Sequence, residues 1–275
     1  MKGVYGNYFL KFGIFLHRRN STIKMENSNM YYNHIIKIFN IAVDLIFPRY
    51  LKCISCNKEL EKKYRYSICN QCFKKLVFVD EAKACRVCGK GLYINDDRLL
   101  CKECEIHKPY FNKGFSVVLY NETAKSMIHG IKYKNKRYIA YYMANMMMDK
   151  LKNHYLKYDI VMYVPLYYKK EKHRGYNQAK ILAKYISKGL DIPLNHGLIR
   201  LRHTKEMNKL TKRLRRINLL NAFGVIDDNQ LKNKHILLID DVYTTGTTTD
   251  ECAKVLLKNG VKKVDVLTFA IGISS

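Results

Sequence analysis

No stretch of the sequence approaches eighteen consecutive apolar residues, which excludes a helix that crosses a membrane. The first ten residues carry few positive charges and no clean apolar core before a small-residue cleavage site, so no secretory signal is predicted. Without export, the 9 cysteines are expected to be reduced thiols in the cytoplasm rather than a disulfide framework. Acidic residues are also scarce: 23 Asp+Glu stand against 50 Lys+Arg, a formal charge of +27. Eight cysteines bound as thiolates to two Zn²⁺ would lower this only to about +23. That is more positive charge than a small-molecule enzyme needs, and polyanions such as nucleic acid are the usual partners of such a surface. At 275 residues the chain has room for one ordinary domain plus a small one.

What is present is organised around residues 236–249, ILLIDDVYTTGTTT. Ile236, Leu237, Leu238 and Ile239 have the length and β-branched content of a strand covered on both faces, as in a parallel sheet with flanking helices. Asp240 and Asp241 are expected where the strand leaves the core, since deeper carboxylates would lack partners. Thr244, Thr245, Thr247 and Thr248 offer hydroxyl and amide donors, and Gly246 allows a close backbone approach, which together suit one phosphate. A helix is predicted from Thr249 through Leu257 with Gly260 as its stop. The loop lacks GxxxxGK[ST] and has no lysine for a β- or γ-phosphate, which disfavours a nucleoside triphosphate. Two carboxylates suited to vicinal hydroxyls make ribose with a 5′-phosphate the inferred ligand.

A second pattern precedes it. Cys53, Cys56, Cys69, Cys72, Cys85, Cys88, Cys101 and Cys104 form C-x2-C-x12-C-x2-C written twice. Two CxxC knuckles complete a tetrahedral Cys₄ site, so two closed, structural zinc sites are implied. Sequential pairing of the knuckles is the most economical arrangement, and the equal spacing leaves crossed pairings open; iron–sulfur ligation is the alternative chemistry. Ahead of this block, residues 1–30 read as a floppy leader or an early start codon, and residues 31–47 as an amphipathic helix ended by Pro48.

After Pro109 strands and helices alternate. Strands are predicted at 115–120, 159–165, 198–202 and 264–271, and helices at 122–131, 137–151 and through Ala179 to Ile186, with Met143, Met146, Met147 and Met148 as core filler. Residues 166–179 read as a basic loop with Lys169, Lys170, Lys172 and Arg174, on the same rim as residues 244–248. Residues 203–223 read as a mobile or helical basic segment containing Lys205, Lys209, Lys212, Arg213, Arg215 and Arg216. It would act as a lid over pyrophosphate or as a grip on a nucleic-acid backbone, against the plainer reading of a solvated face.

LLIDDVYTTGTT resembles the signature with which type I phosphoribosyltransferases bind 5-phosphoribosyl 1-diphosphate (PRPP). Zinc knuckles, VPLYYKKEKHRGYNQA, KLTKRLRRINLLNAF and LLIDDVYTTGTT occur in that order, and from about Phe47 to Ile271 the chain closely resembles the ComF (ComFC-like) family. The resemblance implies a leader and helix at 1–48, a double zinc ribbon at 49–108 and a type I phosphoribosyltransferase-like parallel sheet with flanking helices at 109–275. It implies that Asp240 and Asp241 hold the ribose hydroxyls and that residues 244–248 hold the 5′-phosphate. The pyrophosphate loop falls at 165–170, with Pro165, Leu166, Tyr167 and Lys169, and the flexible loop at roughly 203–217. This chain has YVPLYY where many relatives have PVPLHP. PRPP with Mg²⁺, single-stranded DNA and DNA-uptake or helicase-type proteins are the implied partners, in a cytosolic role in DNA uptake during natural transformation. As an enzyme, the protein would act mainly by positioning and charge stabilisation, with Arg174 and the basic loop on the pyrophosphate. No stretch is identified as a hood for one nucleobase. As a binding module, Tyr133, Tyr167, Tyr168 and Tyr176, set among cations, would stack on single strands.

Overall fold

The computed structural model describes residues 52–62, 64–92, 99–152, 154, 156–204, 212–226 and 229–272. All lie in the unit that begins at Tyr50. The expected leader and the helix at 31–47 fall outside the described residues, as do Lys205 and Lys209.

The two halves of the cysteine block repeat in structure as they do in sequence. In each knuckle an amide returns to the first cysteine, Asn57 N–H to Cys53 O and Gly89 N–H to Cys85 O, both 2.9 Å. Asn57 and Gly89 carry the positive φ that closes this turn, 65° and 74°. One-turn helices then start directly after the third cysteine of each set, at Asn70–Lys74 and Lys102–Ile106. The ribbon segment joins the edge of the first strand, β1 (Lys113–Leu119), through Val79 N–H to Val117 O, 3.0 Å, and Leu119 N–H to Val77 O, 2.8 Å.

Beyond β1 lie α1 (Glu122–Tyr133) and α2 (Ile139–Leu151). Helix α1 starts where the Asn121 side chain accepts Ala124 N–H at 3.0 Å, and it buries Ala124, Met127, Ile128 and Ile131 on one face. Helix α2 buries Met143, Met146 and Met147 fully and Met148 in part, as expected for core filler. Strand β2 (Ile160–Tyr163) follows. The segment read as a loop after it contains a seven-residue helix, α3 (Tyr168–Arg174), ended by Gly175 at φ 83°. Asn177 then caps α4 (Gln178–Leu190), accepting Ala179 N–H at 2.9 Å. Strands β3 (Leu198–Arg200) and β4 (Phe223–Val225) form a small antiparallel pair, and α5 (Lys212–Leu219) between them is the helical part of the basic segment. Strand β5 (His235–Tyr243), α6 (Thr247–Lys258) and β6 (Lys263–Ile271) complete the chain.

The main sheet has the order β1-β6-β5-β2 and is parallel throughout, with helices packed on it. Ile236, Leu237, Leu238 and Ile239 are 0% exposed, as a strand covered on both faces requires. The expectation that the strand stops at the acids is corrected. β5 continues through Asp240 and Asp241 to Tyr243, paired with β6 as far as Ile271. On its other side β2 ends at Tyr163, opposite Ile239, so the last four residues of β5 are flanked by strand on one edge only. The acids are tolerated there because partners reach Asp241 from two helices.

Candidate functional site

A cavity of about 590 Å³ opens at this end of β5, within the range of roughly 300–1,000 Å³ usual for ligand pockets. Asp240, Asp241, Thr244 and Thr248 line it from β5 and the first turn of α6, and Leu166, Lys170, Arg174 and Gln178 from α3 and its flanks. Lys125, Ile128, His129, Lys132 and Tyr133 line it from α1, and Arg200 and Arg215 from the β3–β4 excursion. Six cations therefore surround one acid pair, the balance that a polyanion carrying hydroxyl groups would need.

The acids are held unequally. Lys132 Nζ lies 2.5 Å from Asp241 Oδ2, and Gln178 Nε2 donates to Asp241 Oδ1 at 3.0 Å. Arg174 Nη1 donates to Gln178 Oε1 at 2.5 Å, which connects the arginine to the acid through the amide. Burial pushes the Asp241 carboxyl up, but the Lys132 ammonium and then Gln178 more than offset it, so Asp241 is held below the ordinary carboxylate range. Burial, reinforced by the charge on Asp241, raises Asp240 well above it. Asp240 Oδ1 accepts Asp241 N–H at 2.8 Å. A pair so costly to ionise fully is a good receiver for ribose hydroxyls or for a cation that arrives with its ligand.

The segment expected to cradle a phosphate lies beside the pair. Gly246, at φ 74°, caps α6, which begins at Thr247, two residues earlier than predicted. A small hollow of about 20 Å³ is walled by Asp240 and residues 242–244 and 246–249. Thr245 and Thr247 share a hydroxyl contact of 2.8 Å, and Thr249 Oγ1 donates to Gly246 O at 3.0 Å. A helix N-terminus with free amides and hydroxyls is a ready anion site.

The other predicted positions divide. Arg174, Leu166 and Arg215 face the cavity, whereas Pro165, Tyr167 and Lys169 are not among its lining residues. The Lys169 ammonium lies over the Tyr168 ring at 6.0 Å, and Lys170 is the lysine of α3 that reaches the cavity. Lys212, Arg213 and Arg216 belong to the helical part of the basic segment, but the placement of their side chains falls outside the described residues. Of the candidate stacking tyrosines, Tyr133 and Tyr168 are exposed, while Tyr176 is buried, donates to Ile131 O and packs under Arg137. Sequence reasoning missed Lys132, Gln178 and His129. The helix predicted at 122–131 stops short of Lys132, whereas α1 runs on to Tyr133 and the 3.6-residue period points Lys132 at the sheet.

The eight cysteines gather as two sets, Cys53, Cys56, Cys69 and Cys72, and Cys85, Cys88, Cys101 and Cys104, with all sulfurs of a set within 4.8 Å of one another. This is the sequential pairing. A tetrahedral ion with Zn–S bonds of about 2.3 Å needs S···S separations of about 3.8 Å, and Cys56–Cys69 and Cys88–Cys101 stand at 3.9 and 3.6 Å. Burial pushes the Cys53 thiol up, yet amides of Cys56, Cys69 and Ser55 bring it down to about 7, toward the thiolate that binds metal. Both sets fit structural zinc, with four ligands each and no open position.

Knuckle pairs ahead of a parallel sheet with flanking helices define a double zinc ribbon followed by an α/β domain. A double zinc ribbon domain matches residues 42–105. Competence protein F of Haemophilus influenzae is 35% identical over 170 residues, covering 59% of this chain and 74% of that protein. Competence protein ComFC of Bacillus subtilis is 32% identical over 157 residues, covering 57% and 62%. DNA utilization protein YhgH of Escherichia coli (strain K12) is 29% identical over 169 residues, covering 59% and 74%. Among solved structures, purine phosphoribosyltransferase from Pyrococcus horikoshii Ot3 aligns with a TM-score of 0.30 at 17% identity, covering 48% of this chain and 80% of that one. The chain belongs to the competence protein F (ComFC) family.

Proposed function

We propose that the protein binds PRPP in the 590 Å³ cavity and serves DNA uptake, handling single-stranded DNA in the cytosol. One observation carries the ligand assignment: the Asp240–Asp241 pair sits between the α6 cradle and a wall of cations that includes Lys132, Arg174 and Arg200. The cradle takes the 5′-phosphate, the acids take the ribose hydroxyls, and Lys170, Arg174 and Arg215 face the diphosphate. Mg²⁺ accompanies the diphosphate; the acid pair supplies the carboxylates such a hard cation accepts, and the bound ion would polarise the departing diphosphate oxygen. The names of the relatives, competence protein and DNA utilization protein, support the biological role.

Titration calorimetry with PRPP and Mg²⁺ tests the site. Asp240→Asn combined with Asp241→Asn is expected to abolish binding, and unchanged affinity would overturn the assignment. Single-strand affinity must fall steeply with salt, because phosphate contacts release counterions; a flat salt profile removes DNA from the reading. A second reading, an active phosphoribosyltransferase, is favoured by the aromatic side of the same cavity, Tyr120, His129 and Tyr133. Pyrophosphate release from PRPP in the presence of a base or amine acceptor would establish it.

A further inference from the structure

A second cavity, about 220 Å³, lies between the first cysteine knuckle and α1. Ile54 and Ser55 line it from the ribbon; Lys125, Ser126 and His129 line it from α1, and Lys134 and Lys136 from the turn that follows. Lys125 and His129 also line the main cavity, so the two spaces adjoin. At this size it suits one chemical group rather than a whole ligand.

Its chemistry is that of an oxyanion pocket. Ser126 Oγ donates to Thr123 O at 2.8 Å and accepts the Ser55 hydroxyl at 2.9 Å, so the two serines fix the wall between ribbon and α1 and the lysines supply the donors. Lys136 Nζ donates to Asn57 Oδ1 at 2.9 Å, so the ribbon itself holds one of the lysines at the pocket. Among the described lining residues Glu122 is the one acid, and Lys125 pairs with it at 3.1 Å, so no described carboxylate of the lining faces Lys134 and Lys136. At the junction with the main cavity the His129 and Tyr133 rings are 4.7 Å apart and the Arg174 guanidinium stands 5.3 Å from the Tyr133 ring centroid; Tyr133 keeps 66% exposure, so part of the ring remains accessible to a base.

We propose that the 220 Å³ cavity is a phosphate subsite for the second ligand of the main site, and that this ligand is a nucleoside phosphate rather than a free base. The base lies against His129 and Tyr133, and its phosphate reaches Lys134 and Lys136. The inference rests on the PRPP reading for the main cavity but has its own test. The zinc-loaded full chain is titrated with deoxyadenosine 5′-monophosphate and with deoxyadenosine, each with and without PRPP. The monophosphate is expected to bind about tenfold tighter or more, since one hydrogen bond to a charged group contributes about 1.5–3 kcal/mol. The double variant Lys134→Ala, Lys136→Ala should reduce this preference to below about threefold, with zinc content and PRPP affinity unchanged. Equal binding of nucleoside and nucleotide, or a preference that survives in the double variant, overturns the subsite. A wild-type protein that keeps the monophosphate preference but does not bind PRPP overturns the main-site reading and leaves the subsite standing. A dinucleotide with an internal phosphodiester separates the sources: tighter binding than the monophosphate assigns the phosphate to a strand, weaker binding to a free nucleotide.

Discussion

Lys132 at the end of α1 and Asp241 in β5 form an ion pair of 2.5 Å, their side chains 23% and 6% exposed. The two arrive from elements separated by most of the sheet sequence, and their meeting is what allows a carboxylate to sit within a buried strand. Burial alone would lower the Lys132 ammonium, and the charge of Asp241 more than restores it, so the pair is ionised at neutral pH. Lys132→Met leaves Asp241 buried without its cation, a change that typically costs about 3–5 kcal/mol. Urea unfolding is expected to show a loss of that size. Adding Asp241→Asn should recover most of the stability but not PRPP binding. A single variant as stable as wild type would mean that Asp241 is not buried as described.

The second ribbon braces the first turn of α6, the proposed phosphate cradle. His107 Nε2 lies 3.0 Å from Asp250 Oδ2, and Tyr110 N–H donates to Asp250 Oδ1 at 2.6 Å, in the first turn of α6. Phe111 meets the Tyr243 ring edge-on at 6.1 Å. His107→Ala should weaken ribose 5-phosphate binding about three- to tenfold, as the loss of about 1 kcal/mol of positioning implies. Affinity for inorganic pyrophosphate and the content of two zinc ions per chain should hold. Equal losses for both ligands would point to general destabilisation instead.

Gly246 is the one residue of the cradle that cannot carry a side chain. Its φ is 74°, and a Cβ there would collide with the Tyr243 ring. Gly246→Ala is expected to cost at least about 1 kcal/mol in thermal or urea unfolding, and to abolish ribose 5-phosphate binding, because the cradle must open to admit the methyl group. Retained binding with unchanged affinity would show that the phosphate lies elsewhere.

These contacts also mark what sequence could and could not supply. The β5 strand, its acids and the cradle glycine stood together in one stretch of chain, so local pattern exposed them. The knuckles were equally plain, because Cys53 to Cys104 repeat at fixed spacing, although only the fold separates sequential from crossed pairing. Lys132, His129 and Gln178 were hidden because each looks ordinary among many basic and polar neighbours and comes to the cavity only when α1 and α4 converge on β5. Helix α3 was read as a loop for a related reason: YKKEKHR has no apolar stripe, and its helical conformation ends in a glycine cap rather than an apolar face.

Docking of the ribbon segment on α2 should weaken in acid, and the sign follows from two carboxyls. Arg65 and Tyr66 reach Asp149 at 2.8 and 2.6 Å, and Lys152 at 2.5 Å; Glu81 meets Lys150 at 2.7 Å and His154 at 2.9 Å. Burial pushes both carboxyls up, but Lys152 and Tyr66 at Asp149, and Lys150 and His154 at Glu81, more than offset it, so both are held below their ordinary values. A carboxyl lowered by folding contributes stability that is present above its unfolded pKa, about 4, and is lost as pH falls through the folded value. These groups are partly exposed, so each contributes at most about 1 kcal/mol. Asp149→Asn with Glu81→Gln is therefore expected to be about 1–2 kcal/mol less stable than wild type at pH 7. Zinc release also responds to acid, so the informative quantity is the difference between the two proteins, followed by urea unfolding in excess zinc. That difference should begin to shrink as pH falls below about 4.5 and disappear once the pH is below both folded values; a gap that stays constant through acid titration would show that neither carboxylate holds the ribbon in place through its charge.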